Sequence, residues 1–147
     1  MSAPAVLVTG AAGMLGRALV AALAARRAGF AAVVATDRRP VADGDRLPGV
    51  VYELHDVRHS GLQALLQRHG IDTVVHLASI VTPGPHDDRA TAHAVDVGGT
   101  RQVLDACLAA GVRRLVVSSS GAAYGYHADN PAWLTEDMPL RGNEAFA

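Results

Sequence analysis

Three glycines spaced three residues apart follow an apolar run near the start of the chain, within residues 9–16 (TGAAGMLG). Between a strand and a helix, Gly10 permits a tight turn, Gly13 lets a ligand approach the backbone, and Gly16 lets the helix pack close to the strand. The free N–H groups at the start of that helix attract anions. Because an apolar strand precedes the loop and an Ala/Leu-rich helix follows it, the segment predicts a dinucleotide-binding site. A strand–helix turn that merely contains glycines remains the alternative.

A second candidate is Asp37, which follows the next apolar run and lies 21 positions after Gly16. An acidic residue at this distance is expected to accept hydrogen bonds from the adenosine ribose of a bound dinucleotide. Its negative charge would repel a 2′-phosphate and therefore favours NAD. Arg38 and Arg39 come next and could hold that phosphate, so NADP stays possible. A solvated loop acid is the other interpretation of Asp37.

The elements that must position these residues alternate between short apolar runs and longer amphipathic ones. The predicted strands are residues 5–8, 31–35, 50–54, 73–78 and 115–118, and the predicted helices are 14–27, 60–69 and about 87–110. Pro83, Gly84 and Pro85 are expected to break the chain before the last helix. Strands that are apolar throughout and alternate with helices predict an α/β fold with a doubly wound parallel sheet. With no repeat or linker, residues 1–147 are expected to form one domain.

Composition narrows the class of protein. The chain has 147 residues and a formal net charge of −1, so nothing in its charge favours nucleic acid or an anionic membrane as a partner. Cys107 is the single cysteine, which excludes an internal disulfide. The start has no signal-peptide pattern, and no uncharged apolar run is long enough for a membrane helix. A cytoplasmic location is therefore expected.

Five further segments complete a pattern along the chain. They are His55–Arg58 (HDVR), Val75–Ser79 (VHLAS), Asp96–Thr100 (DVGGT), Val117–Gly125 (VSSSGAAYG) and Thr135–Leu140 (TEDMPL). Together with the glycine loop, and in this order and spacing, they resemble the extended short-chain dehydrogenase/reductase family. That family includes NAD-dependent epimerases and dehydratases such as UDP-glucose 4-epimerases. The resemblance implies a Rossmann fold, here truncated before the last strands and the substrate domain.

The resemblance also implies roles for individual residues. Those expected to bind the cofactor are Gly10, Gly13, Met14 and Leu15 at the pyrophosphate, Asp37 and Arg38 at the adenosine ribose, Asp56 and Val57 at adenine, Leu77, Ala78 and Ser79 towards the nicotinamide end, and Ser118 beside the nicotinamide. Ser120 takes the place of the catalytic Ser/Thr, whose hydroxyl would hydrogen-bond the substrate oxygen being oxidised. The alternative for the serine triplet is a polar strand end that satisfies its own backbone.

Two departures from the family pattern matter. Asp96 stands where the family usually has Asn, and an ionised carboxylate cannot donate a hydrogen bond to a carbonyl across the sheet. The family's Tyr-x-x-x-Lys pair is absent, because the sequence contains no lysine. The tyrosine of that pair exchanges a proton with the substrate hydroxyl, and the lysine lowers its pKa. The pair would be due near residues 143–147, so the chain is expected to be truncated just before it.

These observations leave several functions open. The first is the NAD(P)-binding part of a nucleotide-sugar epimerase or dehydratase that acts by hydride transfer at a sugar hydroxyl. The complete form would be an enzyme, and this chain alone would be inactive. The alternatives are a non-catalytic NAD(P)-binding regulatory module and a remnant that binds nothing. Reduction, epimerisation and dehydration all begin with the same hydride geometry, so the sequence does not select among them.

The remaining candidate residues are interpreted as structural. His55, His59 and His69 lack the spacing of a metal-binding set, so no metal is expected. His76 and Cys107 are interpreted as core residues rather than as catalytic groups. Truncation is expected to expose apolar positions on the helix after residue 87, with candidates Ala92, Val95, Val103 and Leu104. A large apolar patch favours self-association, so a homodimer is expected.

Overall fold

The computed structural model describes residues 3–81 and 88–142. Its centre is a sheet of five parallel strands in the order β3-β2-β1-β4-β5. The strands are β1 (Ala5–Thr9), β2 (Ala32–Asp37), β3 (Val51–Leu54), β4 (Thr73–His76) and β5 (Arg114–Val117). From β1 the chain first adds β2 and β3 on one side of the sheet and then β4 and β5 on the other side, as in a doubly wound fold. The predicted fold class is confirmed.

The helices begin and end close to the predicted positions. They are α1 (Met14–Ala25), α2 (Leu62–Arg68), α3 (Arg89–His93) and α4 (Thr100–Ala110), with a π-helical segment, Ala94–Gly99, joining the last two. Three short 3₁₀ turns cover Arg27–Gly29, Asp43–Asp45 and Gly121–Tyr124. The helix predicted from about residue 87 is thus one succession of turns from Arg89, and it ends before Gly111, whose φ is +70°. Asp87 and the predicted break at Pro83, Gly84 and Pro85 lie outside the described residues.

Two apolar cores explain why the sheet is covered on both faces. Alternate residues of each strand point to opposite faces. On one face, Val6 and Val8 of β1 cluster with Val20 of α1. On the other, Leu7 clusters with Leu66 of α2 and Val103 of α4. Since β1 contributes to both cores, all five of its residues are buried, and this strand carries the glycine loop at its end.

The helix after residue 88 buries more of its apolar positions than predicted. Val95 and Val103 belong to the core, so the expectation that they are exposed is wrong. They are buried because this helix packs against α2 and the sheet. Ala92 is partly buried, while Leu104 is 46% exposed and Leu108 is 73% exposed. Exposed apolar surface on this helix is therefore present at Leu104 and Leu108, and Val97 adds to it. In the described part of the chain, no helix has both the length and the apolar character needed to cross a membrane.

The chain divides into two compact units, residues 1–117 and 118–147. The first contains the sheet and its helices. The described part of the second contains one 3₁₀ turn and loops, which are held together by Arg141. Its guanidinium donates to Asp129 at 3.0 and 3.2 Å and to the side-chain carbonyl of Asn130 at 2.6 Å. The expected single domain over the whole chain remains a prediction.

Candidate functional site

The glycine loop is built so closely that two of its positions cannot carry a side chain. Gly10 has a φ of +67°, and a Cβ there would lie 2.7 Å from the backbone nitrogen of Ala78. A Cβ on Gly16 would overlap the carbonyl oxygen of Gly10 and lie 2.7 Å from the Cα of Ala11. At Gly13 the corresponding contact, to the Gly10 carbonyl oxygen, is 3.2 Å. The loop therefore packs its backbone directly against the end of β4 and the first turn of α1.

The first turn of α1 presents three N–H groups that have no partner among the described residues. The first helical hydrogen bond runs from the N–H of Arg17 to the carbonyl of Gly13 at 2.9 Å. Within residues 3–81 and 88–142, neither a backbone carbonyl nor a side-chain cap accepts from the N–H groups of Met14, Leu15 or Gly16. The N–H of Gly13 is different, because it donates to the Gly10 carbonyl at 3.0 Å. The turn can therefore donate to an anion from Met14, Leu15 and Gly16.

Asp37 ends β2 and is tied to the glycine loop. Its side chain is 8% exposed. One carboxylate oxygen accepts from the N–H of Ala12 at 3.0 Å, and the other accepts from the N–H of Arg39 at 2.9 Å. The remaining lone pairs can accept from hydroxyl groups. Arg38 is exposed and has no partner among the described residues, whereas the side chain of Arg39 lies 3.5 Å from the Asp37 carboxylate.

Two adjoining cavities lie beside this carboxylate. One, of about 50 Å³, is lined by Asp37, Arg39 and Tyr52 among others. The other, of about 220 Å³, shares Tyr52 and adds Arg17. Arg46 lines the smaller cavity, with its guanidinium carbon 5.7 Å from the centre of the Tyr52 ring. The two cavities thus bring the buried carboxylate of Asp37 near three arginines, which are Arg17, Arg39 and Arg46. Arg38 does not line either cavity.

Asp56 and Val57 follow β3, and the structure constrains both. Three hydrogen bonds of 2.6 to 3.1 Å join the guanidinium of Arg58 to the Asp56 carboxylate, which also accepts from the N–H of Arg58 at 3.0 Å. Val57 is buried, and a Cβ on Gly99 would lie 2.7 Å from its side chain. The Val57 side chain therefore belongs to the core, and a ligand could meet this residue through its backbone. Nothing in the sequence pattern had indicated the pairing of Asp56 with Arg58.

The Asp56–Arg58 pair predicts a step in the acid stability of the protein. Hydrogen bonds from Arg58 lower the pKa of Asp56 to about 2 from an ordinary value of 3.8. A carboxyl whose pKa is lowered by folding stabilises the folded state above its unfolded pKa, and this stability is lost as pH falls from about 4 to about 2. Because the pair is partly solvent-exposed, we expect a loss of about 1 to 2 kcal/mol.

Urea unfolding at a series of pH values checks this expectation. Asp56→Asn should flatten the pH dependence between about pH 4 and 2. Asp105→Asn, at an exposed position on α4, is the matched control for the loss of one carboxylate. An Asp56→Asn protein with the full wild-type slope would contradict the assignment of this step to Asp56.

A series of buried side-chain hydrogen bonds links β1 to β4 and β4 to α4. The hydroxyl of Thr9 lies 2.7 Å from Nδ1 of His76, and Nε2 of His76 lies 3.1 Å from the hydroxyl of Thr100. The Thr9 oxygen also accepts from the N–H groups of Leu77 and Ala78, at 3.2 and 3.3 Å. Burial lowers the pKa of His76, which favours the neutral ring, although nearby Asp96 acts in the opposite direction. The prediction of a hydrogen-bonded core histidine is confirmed.

Asp96 resolves the question raised by its place in the family motif. One oxygen of its carboxylate accepts from the N–H of Ile80 at 3.1 Å. The Asp96 carboxylate thus accepts from a backbone N–H. The asparagine usual in the family could instead donate to a carbonyl. Asp96 lies in the π-helical segment, and its backbone carbonyl accepts from the Thr100 hydroxyl at 2.5 Å. The helix therefore holds the chain just after β4.

In the second unit, the serine triplet begins a turn. Ser118, Ser119 and Ser120 are exposed, and the Ser120 hydroxyl oxygen accepts from the N–H of Ala122 at 3.2 Å. This bond caps the 3₁₀ turn Gly121–Tyr124. The Ser120 hydroxyl can still donate its own proton. The roles expected of Ser118 and Ser120 remain predictions.

The described histidines, cysteine and acidic residues form no cluster suited to a metal ion in residues 3–81 and 88–142. Nε2 of His69 instead donates to the Glu53 carboxylate at 2.8 Å, and the same carboxylate accepts from Arg68 at 2.7 Å. The His69 bond is the main cause of the lowered pKa of Glu53. Cys107 is buried, and burial raises the pKa of its thiol, as expected for a core residue.

The strand order, the glycine loop and the uncapped start of α1 define a Rossmann-class α/β domain. The sequence profile of the NAD dependent epimerase/dehydratase family matches residues 6–147. The chain belongs to this family. NAD is the cofactor in the family's description, so the predicted cofactor is confirmed at the level of the family.

Individual relatives agree with this assignment. UDP-glucose 4-epimerase 2 of Oryza sativa subsp. japonica is 33% identical over 153 residues, covering 96% of this chain and 36% of the relative. A short-chain dehydrogenase/reductase superfamily protein from Agrobacterium tumefaciens, solved with bound NAD, is 40% identical with a TM-score of 0.70. The Bordetella bronchiseptica enzyme WbmG, solved with NAD and UDP, is 26% identical with a TM-score of 0.80.

These matches cover nearly all of this chain but less than half of each relative. The chain is covered to 94% by the Agrobacterium structure and to 97% by WbmG, of which it spans 39% and 45%. The shared portion contains the glycine loop and the residues around it, since the family match begins at residue 6.

Proposed function

We propose that this chain binds NAD as the cofactor-binding part of a nucleotide-sugar epimerase- or dehydratase-type oxidoreductase. The observation that carries the proposal is the first turn of α1. There, three N–H groups with no partner in the part of the chain that the structure describes follow a loop whose backbone is kept clear of side chains at Gly10 and Gly16. Such a turn fits a pyrophosphate, because its N–H groups and the helix dipole both favour negative charge.

The neighbouring residues fit the rest of a dinucleotide. The buried carboxylate of Asp37, already oriented by two backbone N–H groups, would accept from the hydroxyls of the adenosine ribose. The backbone of Val57 and the side of the Asp56–Arg58 pair would lie at adenine. Leu77, Ala78 and Ser79 would line the cofactor towards its nicotinamide end. Bound NAD would supply the hydride acceptor for oxidation of a sugar hydroxyl, with Ser118 beside the nicotinamide and Ser120 holding the substrate oxygen.

The chain as it stands is proposed to lack turnover. The proton of the oxidised hydroxyl needs a general base, and the family's base is a tyrosine whose pKa a lysine lowers. With no lysine in the sequence, no tyrosine here can be assisted in that way. The catalytic reaction, its nucleotide-sugar substrate, a homodimeric state and a cytoplasmic location are therefore proposals for the complete protein.

Met14→Pro tests the proposed pyrophosphate site while leaving the fold intact. Met14 is the first residue of α1 and its side chain is 84% exposed. Proline is tolerated at this position and lacks an N–H. The preceding Gly13 has φ −76° and ψ 172°, which suits a residue before proline. Because one donor to a charged phosphate is lost, we expect NAD affinity to fall by about tenfold or more in calorimetric titration.

Met14→Ala is the matched control, since it removes the side chain and keeps the N–H. It should bind NAD with wild-type affinity. Equal affinities of a folded Met14→Pro protein and the wild type would overturn the pyrophosphate assignment. A folded wild-type chain that binds no NAD would overturn the proposed function itself.

A non-catalytic NAD(P)-binding regulatory module is the second candidate, and the absence of lysine favours it. The two candidates differ in what a longer protein would do. If the chain continues in its natural form with a Tyr-x-x-x-Lys segment, that form should convert a UDP-sugar into its epimer or its dehydrated product, with NAD reduced and reoxidised in each turnover. Reading the gene beyond codon 147 and assaying the encoded protein for conversion of the UDP-sugar separates them.

A further inference from the structure

We infer that His76 is a positioning residue, which holds the backbone of Leu77 and Ala78 against the glycine loop through the hydroxyl of Thr9. This role rests on the proposed function, which places Leu77 and Ala78 along the nicotinamide half of NAD. In the structure, His76 is 2% exposed and links β1 to α4. His76 is inside the protein and acts on Leu77 and Ala78 through the Thr9 hydroxyl, which distinguishes it from a catalytic residue.

The hydrogen bonds between Thr100, His76 and Thr9 determine which group is the donor at each step. The hydroxyl of Thr100 donates its proton to the carbonyl of Asp96, which can only accept. The Thr100 oxygen must therefore accept from His76, so Nε2 carries a proton. In a neutral ring Nδ1 then has a lone pair, and the Thr9 hydroxyl donates to it at 2.7 Å.

The consequence appears at Thr9. Since its proton is committed to His76, both of its lone pairs face other donors, and these are the N–H groups of Leu77 and Ala78. The N–H of Leu77 is shared with the backbone carbonyl of Thr9 at 3.3 Å, whereas that of Ala78 donates to the hydroxyl oxygen. Neutral His76 thus sets the orientation of the Thr9 hydroxyl, which helps to hold two consecutive peptide units. If Nδ1 carried the proton instead, the ring would compete with Leu77 and Ala78 for the lone pairs of Thr9.

The same two peptide units contact the glycine loop. A Cβ on Gly10 would lie 2.7 Å from the nitrogen of Ala78 and 2.7 Å from the carbonyl carbon of Leu77. There is no room for the end of β4 to move towards the loop. Asp96 holds the following residue, Ile80, by its N–H at 3.1 Å. The helix therefore positions residues 77–80 at both ends, through His76 and through Asp96.

The tautomer of His76 is measured without any ligand. Long-range ¹H–¹⁵N correlation of the imidazole in the full chain should show the proton on Nε2 at neutral pH. Thr100→Val removes the acceptor and should reduce that preference, whereas Thr100→Ser should keep it. A proton on Nδ1, or a charged ring at neutral pH, would overturn the inference.

The positioning role is measured by comparing NAD with ADP-ribose, which lacks the nicotinamide ring. In calorimetric titrations, Thr100→Val should lose about tenfold in NAD affinity, the effect of about one hydrogen bond. Its ADP-ribose affinity should stay near the wild-type value. Thr100→Ser should restore NAD affinity, and Thr91→Val, a control at the start of the same helix, should change neither.

The outcomes separate this inference from the proposed function. A wild-type chain that fails to bind NAD would remove the proposed function. Binding by the wild type together with an equal loss of NAD and ADP-ribose in Thr100→Val would show that the network supports only the fold, and would overturn the inference. An unchanged NAD affinity in a folded Thr100→Val protein would overturn it too.

Discussion

Gly10→Ala should lower the free energy of unfolding by about 2 to 5 kcal/mol and abolish NAD binding. A residue with a side chain costs about 1 to 2 kcal/mol in the left-handed conformation that Gly10 adopts. Forcing an atom into a packed site costs about 1 to 3 kcal/mol more. Here the obstacles are the backbone atoms of Leu77 and Ala78, which cannot rotate away as a side chain could. Urea unfolding and titration with NAD give the two readouts.

Gly111→Ala separates the two causes. Gly111 has nearly the same φ, +70°, but a Cβ there would meet nothing within 4 Å. It should therefore cost only the conformational part, about 1 to 2 kcal/mol, and leave NAD affinity unchanged. If Gly10→Ala and Gly111→Ala destabilise the protein equally, the contact between the loop and the end of β4 is not the constraint described above.

Asp37→Ala should weaken NAD binding by about tenfold to a hundredfold, because hydrogen bonds from the ribose to a charged acceptor are worth about 1.5 to 3 kcal/mol. The same substitution should raise the ratio of NADP affinity to NAD affinity above its wild-type value. Removal of the carboxylate relieves repulsion of a 2′-phosphate and leaves Arg39 without its partner at 3.5 Å. Calorimetric titration of each cofactor into both proteins measures the ratio.

Asp45→Ala is the control for net charge, since Asp45 lines the larger of the two adjoining cavities and makes no bond to the loop. It should change neither affinity appreciably. Stronger binding of NADP than of NAD by the wild type would show that the arginines of this region outweigh Asp37. A wild-type preference for NAD that survives in Asp37→Ala would contradict the role given to the carboxylate.

The parallel sheet could be predicted from the sequence because its signals are local. Each strand is a short, largely apolar run, and a turn or loop segment separates each run from the element that follows it. The glycine loop could be predicted for a similar reason, since Gly10 and Gly16 are required by contacts within a few residues or with one neighbouring strand. Asp37 could be predicted from the number of residues that separate it from that loop. In the structure its carboxylate accepts a hydrogen bond from the N–H of Ala12.

Features that depend on distant partners could not be predicted. The π-helical segment places Gly99 against Val57, a contact that no local pattern encodes. The same holds for the bond between His76 and Thr100, which are 24 residues apart. Asp96 was recognised as a departure from the family, but its donor, Ile80, became evident only from the fold. The burial of Val95 and Val103 likewise follows from how the helix packs.

The central place of β1 in the sheet has a consequence for the order in which the protein can fold. β1 is synthesised before both of its neighbours, and it pairs with β2 on one side and with β4 on the other, where Val6 lies opposite Thr73. Until residue 76 has been synthesised, one edge of this strand stays open, although all five of its residues are buried in the folded protein. Long-range pairing of this kind is slow and exposes the nascent chain to aggregation. We therefore expect the growing chain to depend on chaperones until β4 emerges.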